Sequence, residues 1–124
     1  MAKRILLVED EQTVSRALQV LLAKGGHDVT PVRTAEDAIT QMTRARPDLL
    51  VVDAHLPGMS GYALCQSIAQ RNDIPMLLMT TRTGETERSK AIALGATAVI
   101  AKPFTAAQFE LAFAQLNKGE SDEN

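Results

Sequence analysis

Short apolar runs recur along this chain, and most of them stop on a residue that carries chemistry. Ile5-Leu6-Leu7-Val8 ends at Glu9-Asp10-Glu11, Leu49-Leu50-Val51-Val52 ends at Asp53, Met76 to Met79 ends at Thr80, and Ala98-Val99-Ile100 leads to Lys102-Pro103. Continuous apolar runs this short read as strands buried on both faces, because a helix would need more length. The segments between them change period. Val14, Ala17, Leu18, Leu21 and Leu22 recur at helical spacing before the stop Gly25-Gly26, and Ala38, Ile39 and Met42 share a helical face up to Arg46-Pro47. Leu56-Pro57-Gly58-Met59-Ser60-Gly61 is loop chemistry, and a helix follows it to about Gln70. A further helix is expected around Glu87–Leu94, stopped by Gly95, and Thr105 is placed to cap a last one through Asn117. With His27 to Val32 as a second strand, five strands alternate with five helices, the pattern of an α/β protein with a parallel sheet covered on both faces.

Pro31 orders that sheet. Proline cannot donate to a ladder, so the second strand belongs on an edge. The order 2-1-3-4-5 puts it there, and that is the flavodoxin-like doubly wound order. The 124 residues suit one domain, and 45% hydrophobic with 23% charged residues is too apolar for a disordered chain. Cys65 stands alone, which excludes an internal disulfide framework and a Cys-rich zinc module. No apolar run nears the roughly 18 residues of a membrane span, and no signal-peptide stretch opens the chain, so the expected compartment is the cytoplasm. Of the formal charge of −2, all is carried by the tail 118–124, where Lys118 faces Glu120, Asp122 and Glu123. A neutral body without Trp and with one Tyr gives no basis for nucleic-acid binding or base stacking.

In an open doubly wound sheet, ligands bind beyond the carboxyl ends of the strands. In this chain that edge would gather Glu9, Asp10 and Asp53 with Thr80 and Lys102. Each has a plainer reading: Asp10 or Glu11 could start the next helix, and Thr80 could be a buried hydroxyl bonded to backbone. Carboxylates so close repel unless a cation intervenes, and carboxylate and carbonyl oxygens with water are the ligand set of Mg²⁺. A lysine opposite the metal completes a positive clamp suited to a phosphoryl group.

From residue 3 to about 117 the chain resembles the receiver domain of bacterial two-component response regulators. The likeness runs through Ile5 to Glu11, Pro47 to Asp53, Leu56 to Gly61, Ile74-Pro75 leading to Thr80, Gly95-Ala96 and Lys102-Pro103-Phe104. The resemblance implies Asp53 as the phosphoacceptor, with Thr80 and Lys102 on the phosphoryl oxygens. It implies Mg²⁺, with Mn²⁺ as a substitute, held by Asp10 directly, by Glu9 through water, by Asp53 and by the backbone carbonyl of His55. It implies a sensor histidine kinase or a histidine phosphotransfer protein as donor, small acyl phosphates as substitutes, and an output protein that the sequence does not name. No membrane or nucleic-acid partner is expected. The activity implied is Mg²⁺-dependent self-phosphorylation and slow self-dephosphorylation, not that of a turnover enzyme.

Some residues depart from the family pattern. Val99 stands where the family carries a switch aromatic, three residues before the lysine, so segment 80–95 is expected to carry the response. Thr81 replaces a smaller residue and narrows access, while His55 and Arg82 fall at positions that tune dephosphorylation in this family. Cys65 is expected half-buried and inert, His27 on the surface, and the Met residues in the core. Two other classes compete. Thr81-Arg82-Thr83-Gly84-Glu85-Thr86 matches a flavodoxin phosphate loop, but that loop belongs after the first strand. A haloacid-dehalogenase-like phosphatase uses Asp-x-Asp, and here His55 takes the second place. Residues 1–117 are thus expected to form the receiver, with 118–124 a polar acidic tail. The Met1 start and short acidic end favour a stand-alone regulator over a piece of a longer chain.

Overall fold

Strand β1 (Arg4–Val8) lies inside a five-stranded parallel sheet, between β2 (Asp28–Val32) and β3 (Leu49–Asp53). Strands β4 (Met76–Thr80) and β5 (Ala98–Ala101) continue beyond β3, which gives the expected order β2-β1-β3-β4-β5 with Pro31 on the edge strand. A computed structural model describes residues 2–71 and 73–117, so the expected tail 118–124 lies outside the described residues.

Alternation along the strands sorts the core into two layers. Leu6, Val8, Leu50, Val52, Met76 and Leu78 share one face, packed with Ala38 of α2 (Ala35–Arg44), Leu64 and Ile68 of α3 (Gly61–Arg71) and Ala91 of α4 (Glu85–Ala93). Ile5, Leu7, Leu49, Val51, Leu77 and Met79 take the other, against Leu18 and Leu22 of α1 (Gln12–Lys24) and Phe109 and Phe113 of α5 (Ala106–Ala114). Each such side chain removed from water contributes about 1.5–3 kcal/mol, so the central strands anchor the fold. Helix α4 is the thinly anchored element, burying Ala91 and leaving Ile92 42% exposed.

Several element ends fall elsewhere than the periodicity suggests. Helix α2 closes at Arg44, and Ala45 is already extended, since the chain must leave the helical region before Pro47. Helix α4 starts at Glu85 rather than Glu87, with both acids in the first turn, where they suit the positive end of the helix dipole. Thr105 caps α5 as expected, in a reciprocal box with Gln108, but the α-helix stops at Ala114 and a 3₁₀ turn spans Gln115–Asn117. Strand β2 begins at Asp28, and His27 is half-buried rather than a surface residue. Its Nδ1 accepts the Lys3 N–H at 3.2 Å, and its ring meets Phe113 edge-on at 5.3 Å. Burial, helped by the positive charge of Lys3, pulls the His27 pKa below its ordinary value. Cys65 is fully buried, not half-buried, because α3 turns it toward the sheet beside Leu64 and Ile68, and burial pushes its thiol up to about 12.

Candidate functional site

Sheet register decides what meets at the carboxyl edge. Val8 pairs with Val52, so Glu9 and Asp53 leave neighbouring strands side by side. Thr80 pairs with Ala101, which brings Lys102 to the same edge.

Glu9 is fully buried and held from two sides. Its Oε1 accepts from Lys102 Nζ at 3.0 Å and its Oε2 from the Glu11 N–H at 3.0 Å. Lys102 Nζ also lies 3.6 Å from Asp53 Oδ2 and 4.0 Å from Glu11 Oε1, while Asp53 Oδ1 accepts the His55 N–H at 3.1 Å. Burial raises the Glu9 carboxyl pKa and the Asp53 charge adds to the rise; the Glu11 N–H and Lys102 pull it back only in part. For Lys102, burial acts downward, but the bond to Glu9 and the charges of Asp53, Glu9 and Glu11 outweigh it, and the net shift is upward. The Lys102 ammonium thus stands between two buried carboxylates, within 3.0 Å of one and 3.6 Å of the other.

Asp10 stands apart from that cluster. Successive side chains leaving a strand point to opposite sides, and Asp10 turns out toward Arg33, 3.9 Å away. Glu11 precedes α1 without capping it through its side chain. Among the described residues no group of three His, Cys, Asp or Glu side chains is arranged to hold a metal ion. Mg²⁺, however, is commonly bound through one or two carboxylates and keeps several waters. The Glu9–Asp53 pair, two carboxylates at one edge of the sheet, fits that requirement.

On the far side of Asp53, Thr80 is buried, and its Oγ1 accepts the Arg82 N–H at 3.1 Å. The same oxygen lies 3.3 Å from His55 Nε2 and 3.1 Å from the Tyr62 hydroxyl. The Thr81 hydroxyl reaches His55 Nε2 at 3.2 Å, so the His55 imidazole sits on the rim between the two threonines. Tyr62 in turn donates to Glu87 Oε2 at 2.9 Å, and Lys90 Nζ stands 5.0 Å from the centre of its ring. Sequence reasoning did not single out Tyr62 or Glu87; an aromatic in the first turn of a helix looks like core. The available signal was that Tyr62 is the lone tyrosine and directly follows a loop glycine. That glycine is structural. A Cβ on Gly61 would stand 2.8 Å from Ala54 Cα and would collide with the Asp53 carbonyl oxygen, so only glycine lets α3 approach the acceptor strand.

With this geometry in view, comparison with known proteins is decisive. A family model described as the response regulator receiver domain matches residues 5–114. This chain belongs to the response-regulator receiver family. The receiver shares 32% identity over 121 residues with the sensory transduction protein RegX3 of Mycobacterium tuberculosis, covering 97% of this chain and 53% of that protein. It shares 35% identity over 108 residues with the phosphate regulon transcriptional regulatory protein PhoB of Rhizobium meliloti, covering 85% of this chain and 48% of that one. Among solved structures, the signal receiver domain of a signal transduction histidine kinase from Syntrophus aciditrophicus superposes with a TM-score of 0.84 at 30% identity, covering 94% of this chain and 91% of that one. The receiver spans about half the length of such curated relatives. It is thus a receiver of two-component signalling, and the flavin-carrier and phosphatase readings give way to it. Receivers use Mg²⁺ as a family and are not turnover enzymes in general. No helix among the described residues is long and apolar enough to cross a membrane.

Proposed function

We propose that the carboxylate of Asp53 accepts a phosphoryl group from a phosphohistidine. One observation carries the reading: Asp53 is buried at the end of a central strand, with Oδ1 fixed by the His55 N–H at 3.1 Å and Oδ2 3.6 Å from the Lys102 ammonium. A carboxylate oxygen forms the new bond to phosphorus as the phosphorus–nitrogen bond to the donor imidazole breaks, and the product is an acyl phosphate on Asp53. The carboxylate is a modest nucleophile, so the site contributes mainly positioning and charge neutralisation. Fixing one oxygen by a backbone N–H limits how the carboxylate can turn. Lys102 and Thr80 supply donors for the phosphoryl oxygens, and a charge-assisted bond of the lysine kind contributes roughly 1.5–3 kcal/mol. Glu9 and Asp53, with Asp10 and the His55 carbonyl drawn in, would hold Mg²⁺; when bound, the ion offsets charge building on the phosphoryl oxygens.

Around this core, residues 1–117 serve as the receiver unit and 118–124 as a polar extension. The donor is a sensor histidine kinase or a histidine phosphotransfer protein, the output a protein partner, and the compartment the cytoplasm. Incubation with acetyl phosphate and Mg²⁺ should add a single base-labile phosphoryl group, read by intact mass. Asp53→Asn keeps the shape but removes the nucleophile, and the mass shift should vanish. A shift that persists on that variant would move the acceptor elsewhere.

A further inference from the structure

The hydrogen bonds around Thr80 can be assigned by counting protons. Tyr62 has one hydroxyl proton and gives it to Glu87 Oε2 at 2.9 Å, a carboxylate that only accepts. Burial, with Glu87 adding to it, raises the phenol pKa, which keeps that donor protonated. The Tyr62 oxygen therefore meets Thr80 Oγ1, 3.1 Å away, as an acceptor, and the proton between them belongs to Thr80. Two neighbours bear on that assignment. The Arg82 N–H donates to the Thr80 oxygen at 3.1 Å, and His55 Nε2, 3.3 Å from the same oxygen, leaves the Thr80 proton to Tyr62 when that nitrogen accepts instead from the Thr81 hydroxyl at 3.2 Å and the Thr81 N–H at 3.5 Å. The chain of donation runs Thr80 to Tyr62 to Glu87, from the acceptor edge into α4.

A phosphoryl oxygen also only accepts. Thr80 has a single proton and cannot give it to Tyr62 and to a phosphoryl group at once. We infer that Tyr62 is a positioning residue that holds the Thr80 hydroxyl proton away from the phosphoryl site and releases it on phosphorylation, with α4 loosened by the same exchange. This rests on Thr80 being a phosphoryl ligand, as proposed above. Helix α4 suits the receiving end. It buries only Ala91, and two of its side chains, Glu87 and Lys90, meet Tyr62, with Glu87 also 3.9 Å from the Arg82 guanidinium. The β-branched Val99 side chain has no polar tip with which to take such a part.

The test uses the whole chain with Mg²⁺ and beryllofluoride as the phosphoryl mimic, read by amide NMR and titration. Tyr62→Phe keeps the ring under Lys90 and removes only the hydroxyl. Its Thr80 proton is no longer held by the phenol oxygen, so beryllofluoride should bind about fivefold more tightly, the worth of one ordinary hydrogen bond. Its unliganded amides across Glu85–Ala93 should already lie toward the positions that the parent reaches with the mimic. Glu87→Ala cuts the chain one bond further out. Tyr62 can then turn its proton to Thr80, Thr80 can turn its own outward, and tightening in the same direction is expected. A purely structural role for Tyr62 would weaken binding instead. Unchanged or weaker binding by both variants, with the parent responding normally, would overturn the inference alone. A parent that takes no beryllofluoride at all would overturn the site reading beneath it.

Discussion

Replacing Gly61 by alanine sets two effects against each other, and the structure says which wins. On helix propensity alone the change should help, by at most the roughly 1 kcal/mol that separates glycine from alanine in a helix interior, since Gly61 is the first residue of α3. Against it stands the space available. The added methyl would lie 2.8 Å from Ala54 Cα and from the Asp53 carbonyl carbon, and would overlap the Asp53 carbonyl oxygen. These are backbone atoms of β3 and its first loop residue, so no side-chain rotation can make room. Helix α3 has to back away, which stretches the Gly61 N–H bond to the Ala54 carbonyl, now 3.0 Å. Overpacking of this kind costs about 1–3 kcal/mol, and a stretched buried bond adds roughly another 1. The net expectation is a loss of about 1–3 kcal/mol, seen as a lower urea midpoint at unchanged slope. At about 4 °C per kcal/mol, melting should fall by roughly 4–12 °C. Because the displaced backbone carries Asp53, phosphorylation by acetyl phosphate should slow as well. A Gly61→Ala protein as stable as the parent, or more stable, would refute the close-approach argument and leave only propensity.

Other outcomes follow from features at different depths. Millimolar Mg²⁺ should raise the melting temperature, by the equivalent of about 2.7 kcal/mol when it stands a hundredfold above its dissociation constant; Asp10→Ala should lose that rise, and equal rises in both proteins would remove Asp10 from the metal site. The folded state lowers the His27 pKa, so the unfolded chain binds that proton first. This contribution to stability is complete above about pH 6.5 and is lost as pH falls from there through the folded pKa; the stability of the parent relative to His27→Gln should therefore be greatest and constant above pH 6.5 and decline below it, read as urea midpoints. The Cys65 thiol, buried and pushed up to about 12, should resist iodoacetamide at pH 8 in the native protein and react once unfolded; rapid native labelling would contradict its burial.

The fold was legible because its signal is local. Runs such as Leu49 to Val52, short and bounded by breaks, read as strands buried on both faces, and Pro31 points to an edge without any tertiary knowledge. Asp53, Thr80 and Lys102 were legible for a related reason: each ends or follows a strand, and register alone carries them to one edge. Side-chain direction was not legible. Glu9 and Asp10 are adjacent acids in the sequence, yet one is buried on Lys102 and the other faces Arg33, a choice made by strand pleating and by residues far away in the chain. Tyr62 escaped notice because its partners, Thr80 and Glu87, come from later elements that no local pattern links to it. Cys65 and His27 were misjudged in burial because that depends on which helix face meets the sheet.

Pro31 has a further consequence at the open margin of the sheet. The Asp28 N–H donates to the Lys3 carbonyl, and the Val32 carbonyl accepts from Glu9, so residues 28, 30 and 32 turn their backbone groups inward to β1. Residues 29 and 31 then turn theirs outward, to whatever approaches the edge. An incoming strand would seek two donors there and find one, at Val29, because Pro31 has no N–H. Unpaired strand edges are templates for association between chains, and proline on the edge is one way proteins blunt them. The residue that marks β2 as the last strand therefore also discourages a second chain from extending the sheet at this edge.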